Sequence, residues 1–223
     1  MLFPGNYLKT LAYLNLVKRP RKWLRLSLDS FYRMDHVYDV IGEFKSTYHG
    51  TFSILEFGVA DGYAFTKKLY ATKYLKMADR ITVHGFDSFE GMPATDDARD
   101  HDMIANAGWV EGQFKTNFDD LREYCTANYD NFAFHKGYFE ETITQEFLSG
   151  LADRPPILIW IDCDYYTSAR TVMERLMPYI PSGCVIYFDE YEFNYGSRMT
   201  GEARLVYEIN CGQFGPDYEL VLD

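Results

Sequence analysis

The sequence predicts a doubly wound, mainly parallel α/β sheet, on three observations. Two unbroken apolar runs, Ile157–Ile161 and Val185–Phe188, are edged by Pro and Gly, as strands buried on both faces are. Strand-like and helix-like segments alternate along the body of the chain, which is the pattern of βαβ units. Both runs end in paired acids, Asp162 with Asp164 and Asp189 with Glu190. Parallel pairing brings those acids to one carboxyl edge, where open α/β sheets bind ligands. Carboxylates gathered there repel one another unless a cation or protons neutralise them.

The elements follow in order. Residues 6–25 predict one or two amphipathic helices, with Leu8, Leu11, Ala12, Leu14 and Leu16 apolar and Pro20 as a break. Residues 29–48 predict a second helical region with Phe31, Met34, Val37, Tyr38, Ile41 and Phe44 on one side. Residues 1–50 are thus expected to form a helical arm or lid, and 51–223 the α/β domain. Within it the expected strands are Phe52–Gly58, Arg80–Asp87, Asn131–Gly137, the two runs above, and a last strand at Tyr218–Asp223. Helices are expected over Tyr63–Met77, Asp119–Tyr129, Glu140–Leu151 and residues 200–213. Val172, Leu176 and Ile180, with Met173 and Met177, mark the crossover helix between the two runs. Thr167 or Ser168 is expected to cap it and Pro181-Ser182-Gly183 to stop it. Residues 91–118 lack periodicity, and a loop of that length is expected to be functional.

The 223 residues suit one domain with a sizeable core, and 47% apolar content marks it as globular rather than disordered. A formal net charge of -11 argues against nucleic acid as a partner. The six Lys and Arg of residues 1–25, which contain no acid, are an exception to that balance. They could touch anionic lipid, but the apolar face is short and the acidic remainder would be repelled. That favours an arm packing on the core or on a second subunit, hence a possible homo-oligomer. The four cysteines lack CxxC spacing and read as reduced thiols of a cytoplasmic protein. No secretory signal is recognisable, and no apolar stretch has the length of a stable membrane insertion.

Cofactor chemistry is concentrated in the first three strand ends. Glu56-Phe57-Gly58-Val59-Ala60-Asp61-Gly62 is a strand-to-helix turn in which Gly58 and Gly62 allow close approach of backbone to ligand. Its spacing is not that of dinucleotide sites, and its acids oppose a pyrophosphate. Acids instead suit the ammonium and sulfonium of S-adenosyl-L-methionine. Asp87 ends the second strand, where an acid accepts ribose hydroxyls, and Ser88 and Phe89 follow as adenine contacts. Gly137 leaves room for a flat base, and Tyr138 offers a ring to stack on it. Asp162 is the remaining candidate on the cofactor side.

L-E-F-G-V-A-D-G-Y, G-F-D-S-F-E-G-M-P, K-G-Y-F-E-E-T-I, I-D-C-D-Y-Y and F-D-E-Y resemble the successive blocks of the macrocin O-methyltransferase (TylF/MycF) family, over about Ile54 to Tyr191. The resemblance implies a Rossmann-like class I methyltransferase that uses S-adenosyl-L-methionine and a divalent cation, usually Mg²⁺, often on sugar hydroxyls of natural products. It implies that Asp162, Asp189 and Glu190 hold the metal and that Asp164 is the candidate general base. Two features depart from the family: Glu190 replaces a second Asp, and no further antiparallel strand follows the final predicted strand.

The expected function is metal-dependent O-methyl transfer to a small-molecule hydroxyl. The alternatives are a metal-independent methyltransferase acting on an amine or carboxylate, and a non-catalytic nucleotide-binding module. His84, His101 and His135 are alternative bases. His84 and His135 fall within strands and read as core, whereas His101 lies in the long loop.

Overall fold

The structure, a computed structural model, describes residues 34–221. The expectations for residues 6–25, including the basic arm, lie outside the described residues. The first described helix, α1, spans Asp35–Thr47. There follow β1 (Phe52–Phe57), α2 (Tyr63–Tyr74), β2 (Ile81–Asp87), α3 (His101–Ala107), α4 (Phe118–Asn128) and β3 (Phe132–Lys136). The second half holds α5 (Phe139–Thr142), α6 (Gln145–Gly150), β4 (Pro156–Ile161), α7 (Tyr166–Leu176), β5 (Val185–Phe188) and α8 (Gly201–Asn210).

The strands form one sheet in the order β3-β2-β1-β4-β5. Every pairing is parallel, as the unbroken apolar runs imply. Central β1 and β4 are buried at all six positions each, whereas β5 at the edge is exposed or half-buried throughout. Alternate residues of each strand feed two cores. On one face Ile54, Val83, Leu158 and Trp160 meet Val37 and Ile41 of α1, Phe65 and Leu69 of α2, and Leu121 of α4. On the other, Leu55, Phe57, Phe86, Ile159 and Ile161 meet Leu148 of α6, Val172, Met173 and Leu176 of α7, and Leu205 and Ile209 of α8. Each fully buried apolar side chain contributes about 1.5–3 kcal/mol, and the two layers together hold the strand ends in register.

The structure corrects several sequence expectations. The segment Glu140–Leu151 is two short helices, not one: Ile143 is fully buried between them and the Thr144 hydroxyl accepts the Phe147 N–H at 3.2 Å, starting α6 anew. The loop 91–118 contains α3, only seven residues long and too short to show a periodicity. The last strand does not form over its described part, Tyr218–Val221. There the Asn210 amide takes both backbone groups of Leu220, donating to its carbonyl at 2.8 Å and accepting from its N–H at 2.7 Å. A side chain thus satisfies what a strand ladder would have. Neither Thr167 nor Ser168 caps α7 with its own side chain. The cap comes from Asp100, whose carboxylate accepts the Thr167 N–H at 3.1 Å.

Candidate active site

Above the carboxyl edge of the sheet lies a cavity of about 580 Å³, a usual size for a small-molecule site. One end is the turn after β1. Gly58 has φ +90°, and a Cβ there would sit 1.6 Å from the Asp162 carbonyl oxygen, so glycine is what lets the ends of β1 and β4 touch. Gly62 has φ +76°, with the Leu121 side chain 2.3 Å from the position a Cβ would take. Asp87 organises this turn. Its Oδ2 accepts the N–H groups of Val59 and Ala60 at 2.7 and 2.8 Å, and its Oδ1 accepts that of Phe89 at 2.6 Å. Ser88, Gly137 and Tyr138 also line the cavity.

Two of the candidate cofactor residues stand elsewhere. Glu56 is fully buried beneath the sheet face that α2 covers, paired with the Lys68 ammonium at 2.8 Å. Burial pushes the Glu56 carboxyl up to about 7 and the Lys68 amine down, each opposed by the charge of the other. Phe89 is 1% exposed and packs on Phe118 at 4.5 Å, in the core rather than on the cavity wall. The cause is the same for both: alternation in β1 and the backbone turn after β2 direct these side chains inward.

The end of the cavity at β4 and β5 is acidic, and it adjoins the turn after β1 through the Gly58–Asp162 contact. Asp162, Asp189 and Glu190 each place a carboxylate oxygen within 4.8 Å of the others. Asp164, with φ +66°, stands beside them on the turn from β4 into α7. Burial, then the Asp189 charge, raises Asp162 to about 6. Burial, then Asp162, raises Asp164 to about 7. Burial, then Asp164, raises Glu190 to about 9. Glu190 Oε2 is buried with no hydrogen-bond partner. Oxygen donors so placed, crowded and under-satisfied, fit a hard divalent cation such as Mg²⁺.

Several residues of this end escaped the sequence reading. Glu202 of α8, fully buried, accepts the Glu190 N–H at 2.9 Å, and its own pKa is driven well above the carboxylate range by burial. Asp100, also fully buried, takes the Thr167 N–H and hydroxyl and the Thr95 hydroxyl, so it ties the loop over the cavity to the start of α7. Neither carries a local sequence signal for these roles, because the backbone N–H that each accepts is brought to it by tertiary folding. Trp160 donates its indole N–H to Asp162 Oδ2 at 3.3 Å, and the W-x-D spacing on one strand face was a usable signal for it.

The histidines stand apart from the cavity lining. His84 and His135 are hydrogen-bonded to each other at 3.1 Å on the α6 face, with His84 depressed to about 4 by burial and then by His135. His101 is exposed at the start of α3. The cavity lining contains seven carboxyl groups and, among the described residues, no Lys, Arg or His.

The O-methyltransferase NovP has a similar solved structure, over 98% of this chain and 95% of its own, at 17% identity and a TM-score of 0.63. The structure of CalS11, a calicheamicin methyltransferase, is similar over 86% of this chain and 80% of its own, at 20% identity and a TM-score of 0.56. At these identities the likeness carries the fold, which is that of the Rossmann-like methyltransferases. The chain belongs to the macrocin O-methyltransferase (TylF) family, whose profile matches residues 27–208. It is therefore a methyltransferase enzyme. No curated protein sequence matches it. No helix among the described residues is long and apolar enough to cross a membrane.

Proposed function

We propose that the enzyme transfers the methyl group of S-adenosyl-L-methionine to a hydroxyl of a sugar or related natural product, with Mg²⁺ or another divalent cation bound by Asp162, Asp189 and Glu190. The observation that carries this reading is the meeting of those three carboxylates at a cavity that the turn after β1 also lines. The donor would lie along that turn, its ribose hydroxyls at Asp87 and its base between Gly137 and Tyr138. Asp61 and the acids beyond it match its positive sulfonium and ammonium.

The cation, when bound, supplies a Lewis acid that orients and acidifies an acceptor hydroxyl. This chain's residues do the rest. Asp164 takes the hydroxyl proton, standing on the turn after β4 beside the three carboxylates. Rigid strand ends align the oxygen with the methyl group. A lining rich in carboxyls favours an uncharged or cationic acceptor over a phosphorylated one.

The test is methyl transfer from radiolabelled donor to a panel of glycosides, with Mg²⁺ and with EDTA. The reading expects activity that EDTA abolishes and Mg²⁺ restores. Full activity in EDTA would leave a metal-independent methyltransferase, and a protein that binds NAD or ATP but not S-adenosylhomocysteine would remove the donor assignment.

A further inference from the structure

We infer that Trp160 is a positioning residue of the metal centre, holding the Asp162 carboxylate from a stacked aromatic platform that also sets where Asp189 stands. The inference rests on the metal reading above and goes beyond it, from the ligands to what orients them.

The platform follows from strand geometry. Residues two apart on a strand share a face, so Trp160 stands directly below Asp162 and Tyr187 directly below Asp189. Trp160 and Tyr187 are register partners of β4 and β5. Their rings stack with centroids 3.8 Å apart and planes 21° from parallel. Two aromatic-x-acid segments therefore run side by side, and the contact between the rings fixes the spacing of the acids one step further on.

Trp160 has no freedom to turn away. It is 2% exposed. The Lys68 ammonium lies 3.9 Å from its ring centroid, and the His36 ring of α1 stacks at 5.1 Å. Glu56, the register partner of Trp160 on β1, holds Lys68 in place. The indole nitrogen only donates, and Asp162 Oδ2 at 3.3 Å is its acceptor. Among the described residues this is the side-chain donor that reaches the Asp162 carboxylate. Partners of this kind set ligand orientation in metal sites generally. A Trp serving only to fill the core would require neither the acceptor nor the alignment of two acids above two stacked rings.

The test uses the full chain saturated with S-adenosylhomocysteine and Mn²⁺ as the probe metal. Trp160→Phe keeps an aromatic ring and removes the N–H. It is expected to weaken Mn²⁺ binding by about tenfold or more while S-adenosylhomocysteine affinity holds. Excess Mg²⁺ should restore part of the lost turnover. Unchanged Mn²⁺ affinity would overturn the inference. Where Trp160→Phe fails to fold, wild-type protein carrying ¹⁵N-labelled tryptophan decides. One indole resonance should shift on Mg²⁺ addition and shift again in Asp162→Asn, and indole resonances indifferent to both would overturn it. Wild-type protein that binds S-adenosylhomocysteine but no divalent cation would sink the metal reading itself, a result distinct from normal metal binding by Trp160→Phe.

Discussion

Asp87 and the acids after β4 and β5 share one sheet edge but are treated in opposite ways. Asp87 accepts three backbone N–H groups at 2.6–2.8 Å, so its charge is stabilised by the fold itself. At the other end Asp162 receives one indole N–H, Glu190 has a buried oxygen with no partner, and burial raises Asp162, Asp164 and Glu190 well above the carboxylate range. An acid satisfied by backbone is a built part of the turn. Acids left crowded and short of donors favour whatever brings positive charge to them. Under the proposed function, the difference separates a cofactor scaffold from a site that takes a cation and a proton.

The comparison breaks most visibly at Asp164. Asp164→Asn should slow methyl transfer by roughly 10²–10⁴ while Mn²⁺ and S-adenosylhomocysteine still bind, as expected for loss of a general base. Normal turnover would remove that role and leave the metal site standing. Asp87→Asn should show the opposite profile. It leaves backbone donors poorly served and should lower folding stability or cofactor affinity by about 1.5–3 kcal/mol, read by denaturant titration and calorimetry. An Asp87→Asn protein as stable and as tightly binding as wild type would contradict its place in the turn.

A smaller effect is expected at the junction of the two regions. Asp100→Ala removes the cap of α7 and should cost about 1–2 kcal/mol. It should raise KM for the acceptor more than it lowers kcat, because the loop over the cavity loses its tie to Thr167. The effect of pH matters for its sign. Asp162, Asp164 and Glu190 hold protons up to about 6, 7 and 9, against ordinary values of 3.8, 3.8 and 4.5. The folded state then binds more protons than the unfolded chain, so their contribution to stability is complete below about pH 4 and is lost as pH rises toward about 9. In EDTA, Tm should fall from about pH 5 to about pH 9, and Mg²⁺ should flatten that fall by replacing the protons. Glu190→Gln, neutral in both states, should raise Tm progressively above about pH 5 and most at alkaline pH. A metal-free Tm that rises with pH would contradict the crowding of these acids.

The strands and the acidic edge were legible in the sequence because a strand buried on both faces cannot conceal itself. Five apolar residues ending in Asp162 state both the strand and its carboxyl end. The strand expected at Tyr218–Asp223 has the same apolar character but no ladder in its described part, since the Asn210 amide takes the Leu220 backbone instead. Glu56 and Phe89 were read by motif position, and the structure turns both inward; only the pleat and the turn decide which way a side chain faces. Glu202 and Asp100 were invisible for another reason. Each acts on a backbone N–H brought close by tertiary folding, 12 and 67 residues away respectively.

That remote cap bears on how the enzyme could be altered. The loop carrying Thr95 and Asp100 lines the cavity through Thr95, so under the proposed function it is the natural segment to exchange when a new acceptor is wanted. Yet α7, which follows directly from Asp164, begins on a carboxylate that this loop supplies. A graft chosen for acceptor fit alone would take away a fastening of the turn between β4 and α7. A working chimera would have to bring an acid at the position of Asp100, or provide the start of α7 with a cap of its own.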